Sequence, residues 1–346
     1  MTELQPHPRL LASREHLDRV RRPAEHPLLQ SAEREVEAVA KAGLRSTDVP
    51  YPTTKHNALL ERARAMQSRV LSLAVWWLQT GEEKYRAAVV DHVRAMGAWT
   101  HWSWLAWRSG DEGPMAQFDL SYGENCATLS LAFDWLANTL GDEERSLFVE
   151  VAQRWGVDPF LHHTGKGNPP FWFGKAGSNW NTVCTGGAGM LALAMHEHLD
   201  RADEVLQRTE ESFEPYFRGL NACGGGWEEG VGYWNYGMRY AFFYLLSWSR
   251  AYGRRHPLLE LEGSRRTLEF PLDFTPNGVA AGFGDVNTFR ARAFHYALAE
   301  AMGREDLYPL LDARLDEDAA SSWANPPGLL VFHPRTFTAP RENAGP

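Results

Sequence analysis

The sequence predicts an all-α protein, an incomplete (α/α) toroid built from antiparallel helix pairs. Three observations lead there. Apolar residues recur at helical spacing along most of the chain. The helical segments come in pairs joined by short turns such as Thr80-Gly81, Gly141-Asp142 and Gly303. Strand-like alternation is almost absent before Leu329-Leu-Val-Phe332. Helix pairs of this kind stack as bundles, solenoids or closed rings. Irregular spacing and long intervening loops favour the ring, because a solenoid repeats at a fixed period. The toroid is assigned to residues 1–325, and 326–346 to a tail or the start of a β-domain.

Taken in order, Leu10 to Ala42 carries a helical stripe amid Arg and Glu, one or two surface helices. Ser46 to Thr54 is a Pro-rich connector. Asn57 to Gln79 places Ala63, Val70, Leu71, Ala74, Val75 and Leu78 on one periodic stripe, and its partner runs from Glu82 to Trp99. The next pair is Cys126–Leu140 with Glu143–Trp155, followed by Asn181–Leu199 with Ala202–Leu220. Gly237–Tyr252 ends at Gly253, and Phe289–Met302 leads into Glu305–Leu311.

Composition narrows the partners. A formal charge of −9 without a basic block argues against nucleic acid. The N-terminus lacks the apolar run of a signal peptide and no segment is long and apolar enough for a membrane, so a soluble, cytoplasmic protein is expected. Cys126, Cys184 and Cys223 are odd in number and lack CxxC spacing, so neither a disulfide framework nor a cysteine zinc site is expected, and no metal or cofactor is assigned. The 14 Trp residues exceed ordinary usage and many lie outside the helical stripes, which favours a sugar-binding groove.

Two stretches stand apart, Gly177-Ser-Asn-Trp-Asn-Thr-Val-Cys184 and Gly224-Gly-Gly-Trp-Glu-Glu-Gly-Val-Gly-Tyr-Trp-Asn-Tyr-Gly237. Asn179 and Asn181 at a helix mouth serve either as caps or as amides that hold an anion, helped by the positive helix end. Tyr233 and Tyr236, three residues apart, share one helix face, and a phenol with a suitable neighbour exchanges protons. The bland alternative for these aromatics is core packing.

These stretches, with the Phe133-Asp-Trp-Leu136 helix and the Leu78-Gln-Thr-Gly81 turn, resemble the heparinase II/III-like polysaccharide lyases, which include oligoalginate lyases. The likeness runs from about Arg62 to Asp285. It implies an α/α toroid followed by a β-sandwich, and cleavage of uronate-containing poly- or oligosaccharides by β-elimination. Under it, Asn179 neutralises the uronate carboxylate and Tyr233 transfers the proton, with Asn181 and Tyr236 as alternatives and His162, His163 or Arg239 as positive neighbours. The substrate side is assigned to Trp102, Trp104, Tyr122, Trp172 and Trp180, with Trp227, Glu229, Trp234 and Asp285 on the later loops. The sandwich is expected to be absent, leaving an oligomer or a separate β-domain chain as its replacement. Two rivals stand beside this reading. One is an α/α-barrel glycoside hydrolase using Glu229 with Asp119 or Asp285; the other is a sugar-binding toroid without catalysis.

Overall fold

The structure, a computed structural model, describes residues 4–104, 108–165, 167, 169–276, 282, 284, 289–315 and 325–336. Its helices are α1 (Arg14–Arg19), α2 (Pro27–Gly43), α3 (Ala58–Thr80), α4 (Glu83–Ala98), α5 (Leu120–Leu136), α6 (Asp142–Ala152), α7 (Asp158–Thr164) and α8 (Asn179–Ala194). They continue with α9 (Ala202–Ala222), α10 (Val231–Ala251), α11 (Glu262–Arg266), α12 (Glu269–Asp273), α13 (Ala293–Met302), α14 (Tyr308–Asp312) and α15 (Pro326–Phe332). Among the described residues the only β pairing is an isolated bridge between Ala291 and Leu315.

Four long helices, α3, α5, α8 and α10, form an inner arc and run parallel. Arg64 of α3 meets Glu124 of α5 near the start of both helices. Thr182 of α8 donates to the Gly237 carbonyl of α10, and further along Gly189 faces Tyr244. Outer helices run the other way: α2 lies along α3 with Gly43 against Leu73, and the start of α8 bonds to Ser212 near the middle of α9. The short helices α13 and α15 carry the circuit from α10 back to α3. The long pairs therefore cover only part of the ring.

Glycine explains how closely the inner helices approach. A Cβ on Gly187 would lie 2.8 Å from Gly123 Cα, and one on Gly186 would lie 2.8 Å from the Tyr240 carbonyl oxygen. So α8 is wedged backbone-to-backbone between α5 and α10, and its apolar sides are buried all round. At the far end, Asp134 of the Phe-Asp-Trp-Leu segment accepts from the Arg9 and Leu10 amides at 2.8 and 3.1 Å. Arg9 reaches on to the Leu193 and Ala194 carbonyls and Glu197. The amino-terminal segment thus closes the C-terminal ends of α5 and α8.

Three sequence expectations shift. The helix expected from Cys126 begins at Leu120, because the Asp119 carboxylate accepts the Ser121 amide at 2.7 Å and caps it. The one expected from Gly237 begins at Val231, so the Gly-Tyr-Trp-Asn-Tyr run lies inside α10 rather than in a loop. The strand-like Leu329–Phe332 is helical: Asn325 caps α15 by accepting the Gly328 amide, and α15 packs on α2, α3 and α13.

Candidate active site

Parallel inner helices have one consequence for the loops. Every segment that enters an inner helix reaches the same end of the ring, so the aromatic 99–104 stretch, the 169–178 loop and the Gly-rich 223–230 turn gather around one mouth. Gly284 joins them with φ +62°, where a Cβ would stand 2.5 Å from the Glu229 carbonyl carbon; only glycine fits this crossing.

Asn179 is the first residue of α8, is only 6% exposed, and makes no side-chain hydrogen bond with the described residues. A Cβ on Gly237 would lie 3.1 Å from Asn179 Cβ, so the base of this side chain packs against α10. Tyr233 lies four residues before Gly237, hence on the same face, one turn nearer the mouth. It is 38% exposed and likewise forms no hydrogen bond with the described residues. The structure brings Asn179 and Tyr233 to one wall of the mouth.

The alternatives are placed differently. Asn181 is fully buried: its amide donates to the Lys175 and Ser212 carbonyls at 3.2 and 2.9 Å and accepts from Ser212 Oγ and Thr185 Oγ1. Every hydrogen-bonding position is taken by the scaffold, so Asn181 ties the 169–178 loop to α9 and has no amide to offer a ligand. Tyr236 is buried and donates to Glu124 Oε1 at 2.7 Å, an oxygen that also accepts from Arg64 Nε at 3.1 Å. Burial first, and then the Glu124 charge, push its phenol well above the usual tyrosine range, so it stays protonated.

Arg239 lies next to Tyr236 and Tyr240, with its guanidinium carbon 5.7 and 4.9 Å from their ring centres, rather than on the Tyr233 face. His163 Nε2 lies 2.8 Å from the Met115 carbonyl and its ring packs edge-on against Phe118, joining the end of α7 to the segment before α5; burial lowers its pKa. His162 is exposed beside it.

The aromatic assignments divide sharply. Trp102 stacks on Trp155 and donates to the Met96 carbonyl, and Trp172 is sealed beside Phe118. Trp234 stacks on His295 and donates to Thr267 Oγ1, and Tyr122 donates to the Gly156 carbonyl. Trp227 packs on Tyr216 and donates to Glu229 Oε2. All five are core residues, with no ring face left for a sugar; each polar tip except that of Trp172 is satisfied inside.

Trp104 and Trp180, in contrast, are half-buried and meet edge-to-face with ring centres 6.0 Å apart. The row extends at one end to exposed His56 and at the other to Phe171, which is 57% exposed. Sequence reading missed His56 and Phe171, although Phe171 stands beside the flagged Trp172. It also missed Arg64 and Glu124; a carboxylate in an otherwise apolar helix was the available signal. Asp285 lies outside the described residues.

Among the described residues no helix is long and apolar enough to cross a membrane, and no cluster of three His, Cys, Asp or Glu is arranged to hold a metal. The three cysteines are free, Cys126 and Cys184 in the core and Cys223 exposed.

What the fold and mouth define is an all-α toroid with a solvent-facing aromatic row beside an amide and a phenol that no described residue engages. No protein-family model and no curated protein sequence matches the chain. Among solved structures it is similar to an alginate lyase from Bacteroides ovatus, with a TM-score of 0.58 and 11% identity over 94% of this chain and 99% of that one. The likeness establishes the fold.

Proposed function

We propose that the protein is a polysaccharide lyase of the heparinase II/III-like type, cleaving uronate-containing chains by β-elimination. The observation that carries this reading is the pairing of Asn179 with Tyr233: a buried amide and an exposed phenol, neither engaged by a described residue, on adjoining turns of one wall. The alginate lyase activity of the structural neighbour agrees with it.

The chemistry follows from the groups. A uronate carboxylate at the Asn179 amide accepts its N–H, assisted by the N-terminal end of α8. Charge that builds on the carboxylate as C5 loses its proton is then stabilised by a donor already in place. Tyr233 exchanges the proton at the reacting centre. The C5–H bond breaks with its proton passing to the Tyr233 oxygen, and its electron pair forms the C4–C5 double bond. The C4–O bond to the departing sugar breaks as its oxygen takes up the phenolic proton that Tyr233 releases. The Trp104–Trp180–Phe171 row supplies faces for flanking sugars.

The hydrolase alternative loses one of its carboxylates, Asp119, while Asp285 lies outside the described residues. Asp119 is fully buried and spends both oxygens on the Ser121 and Trp104 amides, and Glu229 accepts from Trp227. Ultraviolet absorbance of the protein with a panel of uronate polysaccharides tests the proposal. A new conjugated double bond is expected with at least one substrate, lost in Tyr233→Phe while sugar binding survives. Saturated reducing ends, or full turnover by Tyr233→Phe, would overturn it.

A further inference from the structure

Behind the mouth, between α3, α10 and the start of α15, lies a cavity of about 20 Å³ lined by Arg64, Gln67, Ser68, Arg239, Asn325 and Pro326. Arg239 is only 7% exposed, yet its guanidinium forms no hydrogen bond or ion pair with any described residue, and its Nε is sealed from solvent. Arginine is rarely buried without a partner, because its charge loses hydration and gains nothing in return. The Tyr236 and Tyr240 rings beside it return only a small part of that loss.

Charge balance sharpens the point. Arg64 is balanced by Glu124, which also accepts from Tyr236, and by Glu61 at 3.6 Å, whereas no described carboxylate pairs with Arg239. His295, the nearby imidazole, is held neutral by burial and by the neighbouring Arg292 and Arg239 charges. The Arg239 guanidinium is thus buried with no compensating carboxylate among the described residues. The cavity has room for a water-sized group and none for a sugar ring.

We infer that this cavity is a binding site for a small monoanion, a carboxylate group or a halide, held by Arg239 and completed by the cavity's polar wall. Its occupant is either a free anion or the carboxylate arm of a bound uronate. In the second case the inference rests on the lyase reading; in the first it is independent of it. Either way the site is assayed on the resting protein, without turnover, so its failure and that of the proposed elimination are separately visible.

The test is thermal unfolding in sodium formate and, separately, sodium chloride, with ionic strength held constant by a sulfonate too bulky for the cavity. The wild-type midpoint is expected to rise saturably, by about 4 °C at 100 times the dissociation constant. Arg239→Gln is expected to lose this response and, in sulfonate alone, to unfold at or above the wild-type temperature, because the unpaired charge is gone. Repeating the formate titration with a saturating uronate oligomer identifies the occupant. Suppression of the response means that the sugar carboxylate fills the site, and persistence means a free anion does. A wild-type midpoint indifferent to both anions, or an Arg239→Gln protein that keeps the response, would overturn the inference. Arg239→Met, tested alongside, separates loss of the charge from a packing defect: it is expected to match Arg239→Gln, and retention of the response by it would also overturn the inference.

Discussion

Gly187→Ala puts one methyl group where α5 and α8 touch backbone to backbone. The new Cβ would lie 2.8 Å from Gly123 Cα and closer still to the Gly123 carbonyl oxygen. Carbon atoms in contact sit about 3.5–4.0 Å apart. The partner atoms belong to a helix backbone, with no side chain able to swing aside, so the helices must part by about 1 Å. Overpacking of this kind costs about 3 kcal/mol, the upper part of its usual range. For 346 residues the unfolding entropy is about 0.7 kcal/mol per degree, so the midpoint should fall by about 4 °C. Because Asn179 opens α8, the same displacement moves its amide relative to Tyr233, and a 1 Å error at a reacting centre costs about 100-fold in turnover. Gly81→Ala is the control: φ there is +73°, but nothing lies within 4 Å of the new Cβ. It should cost about 1 kcal/mol, lower the midpoint by 1–2 °C on the order of that entropy, and leave turnover alone. A Gly187→Ala protein that unfolds within about 1 °C of wild type would refute the backbone-contact reasoning.

Further substitutions separate scaffold from site. Asn181→Ala, which strands the Lys175 and Ser212 groups, should destabilise by about 2–4 kcal/mol in urea unfolding, whereas Asn179→Ala should change stability little and remove turnover. Equal stability losses would contradict the division of roles. Trp180→Ala or Phe171→Ala should weaken oligouronate binding about 5–10-fold by calorimetry with the fold intact, while Trp234→Ala should cost about 3–5 kcal/mol of stability. Burial pushes the Asp119 carboxyl up to about 6. An acid whose pKa is raised on folding binds its proton more tightly in the native state. Its contribution is therefore greatest at low pH and declines as pH rises from about 4 to about 6, by about 1.4 kcal/mol per pH unit at most. Asp119→Asn should flatten that part of the stability profile; parallel profiles for the two proteins would sink the assignment.

The toroid was legible because its signal is repeated many times: paired helices with an apolar stripe and a Gly or Asp turn leave few other architectures. Element starts were less legible where glycine has two meanings. Gly232 and Gly237 read as loop punctuation, yet they lie within α10, and Gly237 is small because Asn179 leans on it. Asn179 and Asn181 show the same difficulty at the site. Two identical amides flank one Trp, and only the position of Ser212 on another helix decides which of them is occupied. Tryptophan is ambiguous in sequence, because an indole that closes a core and an indole that meets solvent occur in the same Gly-rich loops. The distinction between Trp172 and Phe171 is one residue of register in a loop, which no periodicity reports.

Tyr233 and Tyr236 carry the point furthest, since they share a helix, a residue type and nearly a face. One turn of α10 takes the chain from the rim of the mouth to the interior of the ring. At the inner position a phenolic proton is fixed by Glu124, whose other neighbour is Arg64, and ionisation of Tyr236 would place a second negative charge against that carboxylate in a medium of low polarity. At the outer position no described group engages Tyr233, and solvent or substrate reaches it. A tyrosine that must exchange a proton has to stand where its hydrogen-bond partner can change during the reaction. The inner tyrosine is therefore part of the buried arrangement around Glu124, and the outer one is the tyrosine that the proposed elimination can use. Exchanging the two environments, by opening the inner site with Glu124→Gln, should relax Tyr236 without making it competent, because the ring would remain walled off from the mouth by α3 and α5. Recovery of turnover in the Tyr233→Phe/Glu124→Gln double variant would show that the Glu124 contact, and not burial or position along the helix, had silenced it.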